Sequence, residues 1–283
     1  MRVLVLGGTR FFGRRLVDLL VEAGHDVAIA TRGRAGDDLG DRVQRIIVDR
    51  DDAAALRVAF DGRSWDLVYD QIGYSSANAS DLIAALGDRT RHLVFTSTGA
   101  VYERTGRPLT EPEFDPTTYP VRHVAREDVP YGEGKRLAEA TLFQQAPFTV
   151  AALRFPVVIG PDDYTGRMAH FIDRVRHGRE IRVDDMDRLV SYVAADDAAR
   201  QLLWAGLEER TGPFNGSSGL LPVRDLVAMI EAQVGRPAII STTADPATAY
   251  NIGTSSALSP DKAIAAGFQF RTRLEDAIAS LCE

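Results

Sequence analysis

A regular alternation of short apolar segments with helical segments constrains the fold of this chain more than any other feature. The apolar segments are short and rich in Val, Ile and Leu, which is typical of buried strands. Strands are predicted at 2–6, 27–30, 45–48, 67–69, 92–96 and 149–153. Helices are predicted between them at 12–23, 53–60, 77–86 and 134–145. This spacing indicates βαβ units, and hence an α/β fold with a doubly wound parallel sheet.

The alternation loosens after residue 100. Residues 103–130 contain five prolines and many polar side chains, which predicts a long surface excursion before the alternation resumes. Later helices are predicted at 169–176, 196–208, 222–234 and 273–281. We expect a sheet domain formed by residues 1–155 plus about 188–204. The remaining residues, 156–187 and 205–283, are expected to form a small C-terminal lobe.

Charge and composition exclude several classes of protein. The 33 basic and 40 acidic residues give a net charge of −7, which disfavours binding to nucleic acid. The single cysteine, Cys282, excludes an intrachain disulfide and a cysteine-based zinc site, and the histidines lack metal-ligand spacing, so no metal site is predicted. No apolar stretch approaches the ~18 residues needed to span a membrane, and no targeting segment is evident before the first strand. A cytoplasmic location without membrane association is expected.

A glycine-containing turn lies between the first predicted strand and the first predicted helix. Glycines permit a tight turn and close packing there, and the amides at the helix N-terminus favour a pyrophosphate. A plain strand–helix turn is the alternative, but the surrounding strand–turn–helix context favours a dinucleotide site. Arg10 stands where the dinucleotide pattern has its middle glycine. The predicted contacts are Gly7, Gly8, Thr9, Arg10, Phe11, Phe12 and Gly13.

The residues after the second strand indicate which dinucleotide is preferred. An acidic residue at this point would bind a ribose 2′-hydroxyl, but the chain has Thr31 followed by Arg32 and Arg34. Guanidinium groups pair with phosphate, so we predict a preference for NADP, with NAD as the other possibility. Solvated loop charges are the alternative interpretation. Asp49, just after the third strand, is placed to accept the adenine amino group, or to cap a helix, and the adjacent Arg50 is also a predicted cofactor contact.

Three residues form a candidate catalytic set. Tyr131 and Lys135 lie four residues apart and share one face of a predicted helix. A nearby ammonium stabilises a phenolate, so Lys135 would make Tyr131 a better acid and base. Thr98 closes the fifth strand, at the edge where open α/β sheets bind ligands. The set can polarise and protonate a carbonyl while a nicotinamide delivers hydride.

With these motifs, the sequence resembles the extended branch of the short-chain dehydrogenase/reductase superfamily, the NAD(P)-dependent epimerases and dehydratases. The resemblance runs almost end to end and is most specific at residues 3–13 and 94–135. It implies a Rossmann sheet domain and a substrate-binding lobe. It also implies that Thr98 orients substrate, Tyr131 is the acid/base and Lys135 activates it. A further motif that supports it contains Phe155 and Pro156, and we expect these two residues and Gln71 to contact the cofactor. The helices at 77–86 and 134–145 resemble a pair that forms a homodimer interface in the superfamily.

Departures from the family pattern narrow the expected chemistry. Sugar-nucleotide dehydratases carry an Asp-Glu pair directly after the catalytic threonine, whereas this chain has Gly99 and Ala100, so dehydration is disfavoured. The chain is also short for a sugar-nucleotide epimerase. We therefore expect an NADP-dependent reductase or epimerase acting on a polar carbonyl or alcohol of a small, sugar-derived or similar substrate. Two alternatives remain: a nucleotide-sugar epimerase with tightly bound NAD, and an RNA-associated protein similar to chloroplast stem-loop-binding proteins, with vestigial chemistry.

Overall fold

The structure is a computed structural model that describes residues 1–34, 36–103, 107–242, 251–252 and 256–282. The chain divides into two compact units. Unit 1 comprises residues 1–102, 111–154 and 199–214. Unit 2 comprises residues 103–110, 155–198 and 215–283. In this division residues 199–214 are in unit 1, whereas the sequence predicts the return to the sheet domain near 188–204, and the domain bounds stay a prediction.

Strands and helices alternate from β1 to β6 in the described part of the chain, apart from β2 and β3, which follow one another. The strands are β1 (Arg2–Leu6), β2 (Asp26–Thr31), β3 (Gln44–Ile47), β4 (Leu67–Asp70), β5 (His92–Thr98), β6 (Thr149–Phe155), β7 (Val157–Ile159), β8 (Glu180–Arg182), β9 (Leu189–Ala194), β10 (Gly212–Asn215), β11 (Leu220–Pro222) and β12 (Ile239–Ser241). The helices are α1 (Phe11–Glu22), α2 (Ala53–Phe60), α3 (Ser76–Leu86), α4 (Tyr131–Gln145), α5 (Arg167–Arg176), α6 (Ala195–Leu207), α7 (Val223–Val234), α8 (Asp261–Ala265) and α9 (Leu274–Ala279). Among these, no helix is both long and apolar enough to cross a membrane.

The central sheet has seven strands in the order β10-β6-β5-β4-β1-β2-β3. The pairs β1–β2, β2–β3, β1–β4 and β4–β5 are all parallel. Apart from the added edge strand β10, this is the strand order of the doubly wound dinucleotide-binding fold, in which the order reverses beside β1. The α/β fold predicted from the sequence is confirmed.

Local signals explain why the helices of unit 1 begin where they do. The Asp52 side chain accepts hydrogen bonds from the amides of Ala54 and Ala55 and so caps α2. Ser75 caps α3 by accepting from the amide of Asn78. Such caps satisfy amides that have no partner inside the helix. Leu82 of α3 and Leu142 of α4 are buried in the core beside the sheet, where each contributes about 1.5–3 kcal/mol to folding.

Unit 2 has its own core and two small sheets. In the larger sheet β9 lies between β7, with which it is parallel, and β11, with which it is antiparallel. The smaller sheet pairs β8 with β12. Side chains from α5, α7 and α9, among them Phe171, Ile230 and Ile278, are buried in one cluster with Val190 of β9. Unit 2 therefore has a separate hydrophobic core.

A buried ion pair joins β6 to α4 within unit 1. Arg154 and Glu139 are both 0% exposed, and the Arg154 Nη2 atom lies 2.6 Å from Glu139 Oε2. The same guanidinium donates to the Tyr102 hydroxyl at 2.9 Å and to two backbone carbonyls, those of Glu111 and Phe114. Ser97 of β5 donates its hydroxyl to the Glu139 carboxylate. The Arg154–Glu139 ion pair therefore connects the adjacent strands β5 and β6 with α4 and with the segment that follows residue 110.

Replacing Arg154 with Met is expected to lower the free energy of unfolding by about 3–5 kcal/mol, because it leaves Glu139 buried without its counter-ion. Urea unfolding of the variant and the wild type measures the difference. Arg89→Met is the matched control, since Arg89 pairs with an Asp61 side chain that is 80% exposed, and it should cost less than about 1 kcal/mol. Equal costs for the two variants would show that the buried pair does not hold unit 1 together.

Candidate active site

The turn after β1 adopts a backbone conformation that requires glycine. Gly7 and Gly8 have φ angles of 98° and 82°, in the left-handed region that L side chains rarely adopt. Space is also restricted, because a Cβ atom on Gly8 would lie 2.8 Å from Val17 Cγ2 and 3.0 Å from Val5 Cγ1. The turn therefore lies directly on β1 and α1, and its course leads into the N-terminus of α1.

The N-terminus of α1 suits an anionic ligand. Arg10 occupies the N-cap position, and its side chain does not cap the helix. The first turn carries no acidic residue, so the positive end of the helix dipole favours an anion. Phe11 has a φ angle of 50°, which is strained for an aromatic residue, and its ring packs edge-to-face on Phe12. These features fit the predicted pyrophosphate site.

Gln71 follows β4 and lies against the same turn. A Cβ atom on Gly13 would come within 2.4 Å of Gln71 Oε1, so the amide side chain packs on the bare Cα of this glycine. The Gln71 Nε2 atom is buried and has no hydrogen-bond partner within the described residues. A buried donor normally has a partner, so this amide fits a polar ligand bound at the turn. The residues of the turn thus accommodate the dinucleotide that the sequence implies.

The end of β2 carries two arginines that are not neutralised. Arg32 and Arg34 are exposed and form no ion pair with any described residue. Thr31 accepts a hydrogen bond from the amide of Gly33 and so shapes the turn between them. The nearest acids in sequence have other partners: Asp37 pairs with Arg45, which lowers its pKa, and Asp38 pairs with Arg14. Two cations therefore remain available beside the predicted adenosine site.

Asp49 lies in the turn that follows β3. Its carboxylate accepts a hydrogen bond from the amide of Asp51, and it is Asp52, not Asp49, that caps α2. Asp49 is partly exposed, whereas the next residue, Arg50, is buried. Contact of Asp49 with an adenine stays a prediction.

The predicted catalytic residues occupy the ends of β5 and α4. Thr98 ends β5, is partly buried, and accepts a hydrogen bond from the amide of Ala100. Tyr131 is the first residue of α4 and is 53% exposed. Lys135 follows one turn later and is almost completely buried. An exposed phenol and a buried ammonium are therefore placed on one end of the same helix.

The environment of Lys135 explains its altered acidity. Its Nζ atom donates to the carbonyl oxygens of Gly73 at 2.6 Å and Thr96 at 2.8 Å. It also lies 4.6 Å from the ring centroids of both Tyr74 and Phe95. Burial lowers the pKa of Lys135 to about 8, although the nearby charges of Asp70 and Glu139 oppose this change. At neutral pH most molecules therefore still carry an ammonium here.

Tyr74 connects the three cationic and phenolic groups of the site, and sequence reasoning gave it no defined role. The Tyr74 ring makes cation–π contacts with both Lys135 and Arg126. The Arg126 guanidinium carbon lies 4.1 Å from the ring centroid. The Tyr131 ring centroid lies 6.2 Å from that of Tyr74. The order of tyrosines along the chain gives no signal for this contact, because 57 positions separate them in sequence.

Tyr102 and Arg50, two other polar residues near strand ends, are buried and bonded to other protein side chains. Tyr102 is 4% exposed and bonded to Arg154, so both belong to the buried network described above. Arg50, which sequence reasoning placed among the cofactor contacts, is 5% exposed and paired with the buried Asp70. Phe155 ends β6 and is buried, and Pro156 follows it. Their contact with a cofactor stays a prediction.

The carboxyl ends of the parallel strands bring most of the predicted residues of unit 1 to one edge of the sheet. Those that follow β1 to β5 directly are Gly7, Gly8, Thr9, Arg10, Arg32, Arg34, Asp49, Arg50 and Gln71, with Thr31 and Thr98 as last strand residues. Tyr131 and Lys135 reach the same region through α4, since Lys135 bonds to the carbonyls of Gly73 and Thr96. This is the edge at which doubly wound sheets bind ligands.

Gly8→Ala is expected to abolish dinucleotide binding and destabilise unit 1, because the added methyl group meets Val17 and Val5 in a left-handed backbone. Gly24→Ala is the matched control: its φ of 77° is similar, but open space surrounds its Cα atom. It should cost only about 1 kcal/mol of conformational strain and leave binding intact. Thermal unfolding and titration with NADPH measure both effects. Similar losses in both variants would contradict the importance of the close approach at Gly8.

Solved structures of similar fold support the architecture. UDP-glucose 4-epimerase of Thermus thermophilus, in complex with NAD, superposes with a TM-score of 0.76 at 23% identity, over 100% of this chain and 98% of that one. The Bordetella bronchiseptica enzyme WbmG, also in complex with NAD, gives a TM-score of 0.76 at 19% identity, over 99% and 92% of the two chains. At these identities the likeness shows a shared fold.

Two relatives are similar in sequence. The 2-alkyl-3-oxoalkanoate reductase of Stenotrophomonas maltophilia (strain K279a) is 28% identical over 89% of this chain and 81% of that protein. The chloroplast stem-loop binding protein of 41 kDa b from Arabidopsis thaliana is 26% identical over 68% of this chain. The second match spans 51% of the plant protein, so this chain corresponds to about half of it.

A protein family also matches most of the chain. The family described as the NAD dependent epimerase/dehydratase family matches residues 3–215, which include the glycine turn, Thr98, Tyr131 and Lys135. The region covers about three quarters of the chain and confirms the resemblance seen in the sequence. The chain is therefore an enzyme of the short-chain dehydrogenase/reductase type and belongs to the NAD-dependent epimerase/dehydratase family.

Proposed function

We propose that the chain is an NADPH-dependent reductase that transfers hydride to the carbonyl carbon of a small polar substrate, with Tyr131 as the acid. The observation that carries this proposal is the arrangement of α4. Lys135 is fixed by the carbonyls of Gly73 and Thr96, and Tyr131 stands exposed one turn before it. A fixed ammonium one helical turn from an accessible phenol is an arrangement that suits proton transfer to a carbonyl oxygen.

Each of the three residues has a separate task. The Tyr131 hydroxyl donates its proton to the oxygen on which negative charge develops. The positive charge of Lys135 stabilises the phenolate that remains. The Thr98 hydroxyl is partly exposed at the end of β5, from which it can hydrogen-bond the same substrate oxygen. When bound, the nicotinamide supplies the hydride.

The preference for NADP over NAD follows from the end of β2. Arg32 and Arg34 are exposed, unpaired within the described chain, and adjacent to the glycine turn through the β1–β2 pairing. Guanidinium groups bind phosphate by charge-assisted hydrogen bonds, and no carboxylate follows Thr31 to accept a ribose 2′-hydroxyl. In a chain with a net charge of −7, these two arginines form a local positive site for a phosphate.

An epimerase reaction is the second candidate, because family members that superpose on this chain include a UDP-glucose 4-epimerase. A reductase releases oxidised cofactor, whereas an epimerase returns the hydride to its substrate. The similarity to a relative named as a reductase of 3-oxoalkanoates favours net reduction. Consumption of NADPH with small aldehydes, ketones or 3-oxo acids therefore distinguishes the two.

Tyr131→Phe is expected to lower kcat/KM about 10²- to 10⁴-fold, the usual contribution of a positioned acid, without a change in NADPH affinity. NADPH absorbance with the panel of carbonyl compounds measures turnover, and fluorescence titration measures cofactor binding. Tyr164→Phe, which alters a tyrosine that is 66% exposed in unit 2, serves as the control and should be as active as wild type. Full turnover by the Tyr131→Phe enzyme would refute the proposed mechanism.

The double variant Arg32→Ala/Arg34→Ala is expected to weaken binding of adenosine 2′-phosphate compounds about 10- to 100-fold, as loss of one charge-assisted contact predicts. Binding of adenosine 5′-phosphate should change little. Calorimetric titration with both ligands separates these effects. Arg57→Ala, at an exposed arginine of α2, should leave both affinities unchanged. An equal loss for the two ligands in the double variant would count against selection of NADP.

A further inference from the structure

A second buried ion pair lies beneath the turn that holds Lys135. Arg50 and Asp70 are 5% and 1% exposed, and Arg50 Nη2 lies 2.6 Å from Asp70 Oδ2. Asp70 is the last residue of β4, and Arg50 lies in the turn that follows β3. The pair is thus at the carboxyl edge of the sheet, close to the catalytic residues but shielded from solvent.

Asp70 shapes the turn over residues 71–74 by direct contact. Its Oδ1 atom accepts a hydrogen bond from the amide of Ile72 at 3.1 Å. Its Oδ2 atom packs against Gly73, where an added Cβ atom would lie only 2.6 Å from that oxygen and 2.9 Å from Phe95. The carboxylate therefore contacts the backbone on either side of the Ile72–Gly73 peptide, directly before the Gly73 carbonyl.

The same turn supplies a ligand to Lys135. The Gly73 carbonyl accepts from Lys135 Nζ at 2.6 Å, so a continuous chain of contacts leads from Arg50 through Asp70 and Gly73 to the ammonium. We propose that the Arg50–Asp70 pair is a positioning element for Lys135, which both holds the Gly73 carbonyl in place and balances the charge beside the ammonium.

Four charged side chains from the elements around Lys135 act on its ammonium group. Asp70 from β4 and Glu139 from α4 raise the pKa of Lys135, whereas Arg50 and Arg126 lower it. The phenols of Tyr74 and Tyr131 are the other titratable groups nearby. Opposite effects are therefore expected from the two partners of the pair. Loss of the Asp70 charge should lower the pKa of Lys135, and loss of the Arg50 charge should raise it.

The sequence offers an unusually direct measurement, because the chain contains two lysines, Lys135 and Lys262. Lys262 is exposed on α8 in unit 2, so it serves as an internal reference. In the full chain labelled with ¹³C at the lysine ε carbon, NMR gives one signal for each. In wild type the Lys135 signal should titrate near pH 8, and the Lys262 signal is the reference against which changes in the variants are judged.

Asp70→Asn should move the Lys135 midpoint about one pH unit lower, the size expected for loss of one nearby opposite charge. Arg50→Gln should move it higher, so the proposal stays testable if one of the two variants fails to fold. The Lys262 midpoint should stay constant in both. Asp66→Asn is the control, since Asp66 bonds to the Arg2 amide at the opposite end of the sheet and should leave both midpoints unchanged.

A Lys135 midpoint that is the same in wild type, Asp70→Asn and Arg50→Gln would overturn the proposal. The NMR measurement does not depend on the proposed reductase function. A second measurement, the pH profile of kcat/KM, does rest on that function. There the alkaline limb reports the coupled Tyr131–Lys135 pair and should move lower in Asp70→Asn. If the NMR midpoints move as expected while Tyr131→Phe retains full turnover, the proposed function fails and the positioning role stands.

Discussion

The buried pair of Arg154 and Glu139 determines where α4 lies, and the candidate active site depends on α4. Glu139 is one turn beyond Lys135 on this helix, and its carboxylate is held by Arg154 of β6 and Ser97 of β5. A charge buried to this extent is tolerated only with nearly ideal partners, so few alternative registers of α4 are accessible. The helix is thereby fixed against two strands, and Tyr131 and Lys135 take their positions from it.

The choice of cation at each place follows from its chemistry. The chain has 31 arginines and two lysines, and its buried pairs at Glu139 and Asp70 both use arginine. A guanidinium stays charged when buried and binds a carboxylate with several N–H groups. Lys135 occupies a narrower space, between two aromatic rings and two carbonyl oxygens, where a compact ammonium fits. Lysine is also the cation whose pKa responds to burial, as its lowered value near 8 shows.

The sequence predicted the central sheet well because its strands and helices are periodic and follow one another closely. β1 and α2 have the predicted bounds, whereas α4 begins at Tyr131 rather than 134, directly after its N-cap residue Pro130. The strands of unit 2, such as β8 with three residues, were not predicted, since so short a segment has no measurable period. The glycine turn and Tyr131–Lys135 were identified because each is local in sequence. The Arg50–Asp70 pair and the role of Tyr74 depend on contacts between distant segments, which no spacing reveals.

Lys135 is held close to the limit at which it would lose its charge. Folding lowers its pKa from the ordinary value of 10.5 to about 8, so between these values the unfolded chain binds the proton and the folded chain does not. Stability contributed by this group therefore rises with pH across that interval, and the ammonium is a cost to folding at neutral pH. A chain keeps such a cost only where other contacts compensate for it, here the carbonyls of Gly73 and Thr96 and the charges of Asp70 and Glu139. In the proposed reaction, this balance keeps a positive charge one helical turn from Tyr131 at neutral pH, where it would stabilise the phenolate.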